Sequence, residues 1–546
     1  MTDTFDYIIV GAGSAGSVLA NRLSADDATV CVLEAGPPDR NPWIHIPAGF
    51  TRTLTNPAVN WLFESEPSEG TAGRPVYAPR GKTLGGSSSI NGHIYNRGQR
   101  MDFDSWAQEG NRGWGYADIL PYFKRSERRI GGPDEIPDAA FHGRDGELPV
   151  TDIDGPDHVC DAFIDGAVGL GIPRNDDYNG ATQAGVGYFQ RVIENGRRVS
   201  AYRAFLHPVR HRPNLEIRTE AHTQRILFDG RRAVGVAYRH RNRGDDIAVR
   251  ARREVILASG SVGSPQLLHI SGVGPAALLK EIGVKVIHDL PGVGENLSDH
   301  YLARMTARVK NARTINERAR GLSLVREVAT YALRRRGLLA MSPSQVFAFW
   351  KSHPSMDQPD MQLIFTPATY KAGMIAQLED EPGMTAATFA LRPLSRGYVR
   401  ARSAAAGDKP EIQPNYLDHE TDRQVTIAGL RLDRQILNAP ELAHFFDHEV
   451  VPGADIQTDD ELLDFARSYG TTVFHLVGTC RMGPAERGNV VSDELKVHGL
   501  EGLRVVDASV MPAMVSANTN AATMMIAEKG ADMILGREAP PAATHL

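Results

Sequence analysis

Short β-branched runs closed by glycine alternate along this chain with stretches of helical period. Ile8, Ile9 and Val10 form one such run and Thr29 to Leu33 another, apolar at consecutive positions as strands buried on both faces require. The segment Asp6 to Glu34 therefore reads strand, glycine turn, helix, strand, and Ala35, Gly36, Pro37 and Pro38 close the unit. Farther on, Arg203 to His211 has a helical pattern and Asn214 to Thr219 a strand pattern. Ile226 to Tyr238 predicts a hairpin turning at Asp229 and Gly230. Glu254 to Gly260 is a second buried run. Ser264 is expected to cap a helix with Pro265 at its first position, and Ser271 to Gly274 to end it. Such units belong to a mostly parallel sheet.

Between about His300 and about Pro452 the pattern changes. Gln345 to Phe349, Met361 to Phe365, Thr388 to Leu391 and Gly397 to Arg402 suggest an antiparallel sheet, broken by a basic helix around Ala332 to Arg336. Its aromatic positions suit either the wall of a substrate cavity or a core face. The last hundred residues return to the first pattern: helix at Asp459 to Ser468, strand at Leu503 to Val506 ending in Asp507, and a long helix at Ala521 to Leu535. Ile130 to Pro137 reads as a Gly- and Pro-rich surface loop, and the Pro- and Ala-rich tail after Gly536 is expected to be disordered.

A length of 546 residues implies two or more domains, interleaved in sequence. Hydrophobic content of 42% and charged content of 23% are those of an ordinary globular protein. The net charge of −6, with no long basic tract, gives no footprint for nucleic acid. Cys31, Cys160 and Cys480 are too few and too scattered for a disulfide framework or a zinc site, so no metal is expected. Only MTDTF precedes the first strand and no apolar run is long enough to span a bilayer. The expected location is the cytoplasm, with peripheral contact to the inner membrane left open.

The candidate chemistry begins at the first turn. Gly11 allows it to be tight, Gly13 lets a pyrophosphate approach the backbone, and Gly16 lets the helix pack close to the strand. The helix opening at Ser14 presents free amides and its positive dipole end to phosphates. Glu34, roughly twenty residues on, ends the second strand where a carboxylate accepts hydrogen bonds from a ribose. This predicts dinucleotide binding without choosing between NAD and FAD. A second block, RGKTLGGSSSIN from Arg80 to Asn91, sets Gly81, Gly85 and Gly86 ahead of Ser87, Ser88 and Ser89. It offers close backbone approach and hydroxyls for an anion, and apolar Leu84 and Ile90 favour an ordered segment. Near the C-terminus, His475 lies between Phe474 and Leu476 in a turn leading to Gly478 and Thr479. Asn518 and Asn520 sit in SANTNAAT just before a helix, where side-chain amides cap the helix or point at a ligand.

Four separated blocks resemble the glucose–methanol–choline oxidoreductases, FAD-dependent enzymes acting on alcohols. They are GAGSAG with Glu34; GKTLGGSSSINGHIYNRG from Gly81 to Gly98; GSVGSPQLLHISGVG from Gly260 to Gly274; and HLVGTCRMG with DASVMP and NTNAAT. Within the family the chain is most similar to bacterial alcohol and choline dehydrogenase-like members. The resemblance implies an α/β chain (α+β overall), with a Rossmann-like FAD-binding domain of discontinuous segments and a substrate domain with an antiparallel sheet. The expected segments are 1–155, 201–299 and 461–536 for FAD, 156–200 and 300–460 for substrate, and a tail at 537–546.

By position, His475 matches the family's active-site histidine and Asn518 its second catalytic residue, with Asn520 the competing assignment. The implied FAD contacts are Gly11, Gly13, Ser14, Gly16 and Glu34; Gly81, Leu84, Gly86, Ser87, Ser88, Asn91 and Gly92; Thr223, through its backbone; and Asp507, Ala508, Thr519 and Asn520. Some members attach FAD through a histidine after the serine run. Ile90 stands there in this chain, so FAD is expected to be non-covalent.

The implied reaction is oxidation of a primary alcohol, aliphatic or aromatic, to the aldehyde. His475, at an ordinary pKa of about 6.5, takes the hydroxyl proton, Asn518 stabilises the alkoxide, and flavin N5 accepts the hydride. Phe347, Phe349, Phe365 and Phe474 favour an apolar substrate, and the catalytic motif carries no obvious neighbouring carboxylate that would favour choline. The acceptor stays open between a quinone, a redox protein and O₂, the last making an oxidase that yields H₂O₂. A non-redox FAD lyase is the alternative from another class. The oligomeric state is unknown.

Overall fold

In the computed structural model, which describes residues 3–131, 140–153, 155, 157–371 and 377–544, the strand Asp3–Val10 lies parallel between Val30–Leu33 and Ile247–Leu257. Ile8, Ile9, Val32 and Ile256 are wholly buried, which is why these runs are apolar at every position rather than at alternate ones. The sheet has seven strands. Leu215–Arg218 extends it beyond Val30–Leu33, and the hairpin Ala221–Asp229 and Arg232–His240 extends it antiparallel on the other side. On the edge away from Asp3–Val10, Ile247–Leu257 is long enough to serve two neighbours: its first half pairs with the hairpin and its last residues pair in parallel with Leu503–Val505. Residues from both ends of the chain thus share one sheet.

A second seven-stranded sheet is antiparallel throughout. Its order is Phe446–Val451, Tyr301–Val309, Gly383–Ala390, Met361–Thr366, Val346–Trp350 and Gly185–Tyr188, with Thr471–Thr472 paired to the first residues of Tyr301–Val309. This last pairing delivers the chain to His475. Helices His158–Gly169 and Glu420–Leu437 cover one face, where Phe163 stacks on Phe365 at 4.2 Å between ring centres. The opposite face carries Phe347, Phe349 and Phe389 packed with Tyr178 and Phe189.

Several local expectations are corrected. Ser264 and Pro265 lie inside the helix Gly260–Ile270 rather than at its start. Proline is tolerated there because the carbonyl its ring deprives, that of Ser261, accepts a bond from Thr479 Oγ1 at 2.7 Å instead. The basic helix begins earlier, spanning Gly321–Arg334. Gly397 to Arg402 contributes no strand to the large sheet; Tyr398–Arg400 pairs only with Glu411–Gln413. Phe365 faces the helices, one residue out of phase with Phe347 and Phe349, so only the latter two share the His475 side. Most of the loop expected at Ile130 to Pro137 falls outside the described residues. Beyond Gly536 the described residues have no regular secondary structure; Arg537 pairs with Asp26 and the Ala543 amide donates to Ala117.

Candidate active site

Two glycine turns face each other at the C-terminal edge of the parallel sheet. Gly11 has a left-handed backbone (φ +103°), and a Cβ on it would fall 2.5 Å from the carbonyl oxygen of Ala258. A Cβ on Gly16 would fall 1.9 Å from Gly11 O, so only glycine lets the helix Ser14–Leu23 start against the strand. Gly86, also left-handed at φ +52°, brings the second turn so near that its Cβ would lie 2.8 Å from Gly13 Cα. The turns are joined by Gly85 N–H donating to Ala12 O at 2.8 Å, and Gly81 N–H donates to Ser87 Oγ at 3.1 Å. Leu84 is buried beside them and its amide donates to Pro37 O.

Glu34 is buried at the end of its strand, where its two carboxylate oxygens accept from Ala12 N at 3.0 Å and Gly36 N at 2.8 Å. Burial raises its pKa to about 7 in spite of these donors. Some predicted contacts are occupied within the protein. Ser88 Oγ donates to Gly85 O and accepts from Ala201 N, and Asn91 Oδ1 accepts from Arg198 Nη1. Asp507 accepts from Gly260 N, Ser264 Oγ and Ser509 N, so it ties the C-terminal strand to the start of the helix Gly260–Ile270, while Ala508 O accepts from Gly478 N. Gly92 lies under the ring of Pro343, and Thr223 stands in the hairpin with its hydroxyl buried and unpartnered.

The helix Thr519–Leu535 runs parallel to Ser14–Leu23. Ser14 Oγ donates to Asn520 Oδ1 at 2.6 Å, and two turns on Arg22 pairs with Glu528 at 2.7 Å, the same 506 residues apart. Two helix N-termini therefore lie side by side at the glycine turns, doubling the positive end available to an anion. The residues fit FAD. Gly13 keeps its backbone open, since a Cβ there would meet protein only at 3.9 Å, and buried groups lack partners that a ligand could supply: both ring nitrogens of His93 and Oδ1 of Asn518.

His475 lies at the other end of this cradle. Its backbone N–H donates to Asp299 Oδ1 at 2.7 Å, and Phe474 before it adopts φ +69°. That strained turn is held by Arg80 donating to Phe474 O at 2.6 Å and by Phe474 N–H donating to Thr472 Oγ1 at 2.6 Å. Asp299 Oδ2 in turn accepts from Tyr416 OH at 2.6 Å and from Thr472 Oγ1. Reciprocal backbone bonds between Ser298 and Val477 fix the two loops together.

The proton positions on His475 follow from its partners. His300 Nε2 lies 2.8 Å from Leu391 O, an acceptor only, so this nitrogen carries the hydrogen. Burial holds the His300 pKa down to about 4, so the ring is neutral and its Nδ1 is a lone pair. His475 Nδ1, 2.9 Å away, then donates to it. The remaining nitrogen, His475 Nε2, is left bare and faces Asn518 Nδ2 at 3.1 Å. Burial, with smaller contributions from His300 and Arg80, pushes the His475 pKa well below the ordinary value, lower than its sequence setting suggests.

Asn518 precedes its helix in an extended conformation and makes no capping bond, which frees its side chain for His475. Its loop is anchored from behind: Asp102 accepts from Ser516 N and Ser516 Oγ, both at 2.8 Å, and Arg392 also donates to Ser516 Oγ at 2.8 Å. Asn518 thus stands with His475, and Asn520 stands with Ser14 at the glycine turns. The sequence reading missed His300, Asp299 and Asp102. No local pattern marks them; their partners are 175, 176 and 414 residues away in the chain.

Comparison with known proteins gives a uniform result. Two family profiles, both described as GMC oxidoreductase, match residues 5–302 and 393–527. An alcohol dehydrogenase [acceptor] from Pseudomonas putida is 44% identical over 538 residues, covering 97% of this chain and 96% of that protein. An oxygen-dependent choline dehydrogenase from Cronobacter sakazakii is 43% identical over 99% of this chain and 96% of its own. Among solved structures, pyridoxine 4-oxidase from Mesorbium loti superposes with a TM-score of 0.87 at 30% identity over 98% of this chain and all of that one. A formate oxidase from Aspergillus oryzae RIB40 does so with a TM-score of 0.90 at 26% identity, covering 98% of each.

Proposed function

The chain belongs to the GMC oxidoreductase family, FAD enzymes acting on CH–OH groups, and we propose that it oxidises an apolar primary alcohol, aliphatic or aromatic, to the aldehyde. The observation that carries this reading is the bare Nε2 of His475 beside the amide of Asn518. An alcohol hydroxyl entering between them donates its proton to Nε2. Asn518 Nδ2, released from the ring, donates instead to the alcohol oxygen and offsets the charge that develops there. His300 accepts the Nδ1 hydrogen throughout, so the imidazole stays in the tautomer that can act as a base. FAD, when bound, supplies the hydride acceptor.

The substrate class is read from the surroundings. Leu302, Phe389 and Val473 pack together on this side of the sheet, with Phe389 6.4 Å from the His475 ring. Asp299, the carboxylate that abuts His475, already accepts from three donors, so it is not free to pair with a quaternary ammonium. Anaerobic mixing with a panel of aliphatic, aromatic and amino alcohols tests this: apolar primary alcohols bleach the flavin and yield one aldehyde per flavin. Bleaching by amino alcohols alone would overturn the substrate class, and bleaching by none would overturn the reaction. Peroxide measured beside reduction of an artificial acceptor separates oxidase from dehydrogenase.

A further inference from the structure

The helix Gly321–Arg334 has its amphipathicity the wrong way round for a helix facing water. At 3.6 residues per turn, Leu322, Val325, Val328, Ala329, Ala332 and Leu333 share one side. That side points outward: Leu322 is 89% exposed, Leu333 84%, Val325 64% and Val328 47%. Glu327, Ser323 and Tyr331 face the protein. Glu327 pairs with Arg318 at 2.8 Å and accepts from Leu338 N, Ser323 Oγ accepts from Arg313, and Tyr331 OH donates to Gly196 O. The orientation is therefore locked by specific bonds, and apolar surface that these bonds hold outward calls for an apolar medium.

The rim of this face is basic. Between Arg313 and Arg336 the sequence has seven arginines against two glutamates, in a chain whose net charge is −6. Arg326, Arg334, Arg335 and Arg336 are exposed. A second copy of the chain would set two such rims against each other, whereas anionic headgroups complement them. The helix, 14 residues and about 21 Å long, is too short to cross a bilayer but suited to lie in its surface. We propose that Gly321–Arg334 docks the protein peripherally on an anionic lipid surface, its Leu and Val side chains among the acyl chains and its arginines at the headgroups.

Cosedimentation of the FAD-loaded protein with vesicles of phosphatidylglycerol and phosphatidylcholine, and with phosphatidylcholine alone, tests this. The protein should pellet with the anionic vesicles at low salt, at least about 10-fold more strongly than with the neutral ones. The variant carrying Leu322→Gln, Val325→Gln and Leu333→Gln should lose that binding about 10-fold or more while keeping its turnover with a soluble dye, because all three side chains are exposed. Wild-type protein remaining in the supernatant would overturn the proposal, as would undiminished binding by the triple variant. Dimerisation abolished by the same substitutions, without vesicle binding, would assign the face to a second copy instead.

Discussion

His300 Nδ1 lies 2.9 Å from His475 Nδ1, and because His300 spends its own hydrogen on Leu391 O, this contact settles which nitrogen of His475 is bare. Replacing His300 by alanine removes the acceptor and frees His475 to adopt the other tautomer. Flavin reduction by an alcohol should slow by about 10 to 10² fold with FAD still bound, as for other residues that orient a ligand or base from behind. An unchanged rate in His300→Ala would show that the tautomer is fixed by something else.

Acid should destabilise the fold through the same ring. His300 titrates at about 4 when folded and at about 6.5 when unfolded, so between these values the unfolded chain holds a proton that the folded chain lacks. Stability is complete above about pH 6.5 and falls as the pH drops toward 4, by about 3 kcal/mol from this group. His475, also pushed down by burial, acts in the same direction. Denaturant midpoints measured from pH 7.5 to 5 should fall in the wild type and fall less in His300→Phe. Equal slopes would contradict the depressed pKa.

FAD should leave the protein on acid precipitation. Ile90 is buried and aliphatic at the position where attachment occurs in some relatives, and it has no atom able to form the bond. Yellow supernatant over a colourless pellet is the expected result; colour in the pellet would point to attachment elsewhere.

Gly86→Ala should yield protein depleted of FAD and less stable by about 2 to 4 kcal/mol. The new Cβ meets Gly13 Cα at 2.8 Å, backbone against backbone, at φ +52° where alanine is already strained. Flavin content of the purified variant and its thermal midpoint check this, and a fully loaded variant of normal stability would contradict the opposed-turn geometry.

The nucleotide half of the molecule was legible in the sequence because its signals are local. Gly11, Gly13, Gly16 and Glu34 lie within one strand–helix–strand unit, and Ile8 to Val10 advertise a strand covered on both faces. The His475–Asn518 pair was legible only through motif resemblance, and its electrostatics were not. His475 in sequence is a histidine beside a phenylalanine; its lowered pKa comes first from burial and then from His300 and Arg80, which long-range pairing brings in. Likewise Phe365 and Phe347 look equivalent in sequence, and only strand register sends them to opposite faces. The outward-facing apolar side of Gly321–Arg334 was hidden for the opposite reason, since a sequence shows that a helix is amphipathic but not which side meets the protein.

Anaerobic rapid mixing of His475→Ala with an alcohol that bleaches the wild type measures the proposed base most directly. The variant should retain FAD and the visible spectrum while flavin reduction slows by about 10² to 10⁴ fold, the range for loss of a general base. Reduction at the wild-type rate in a fully FAD-loaded variant would contradict proton removal at His475 Nε2.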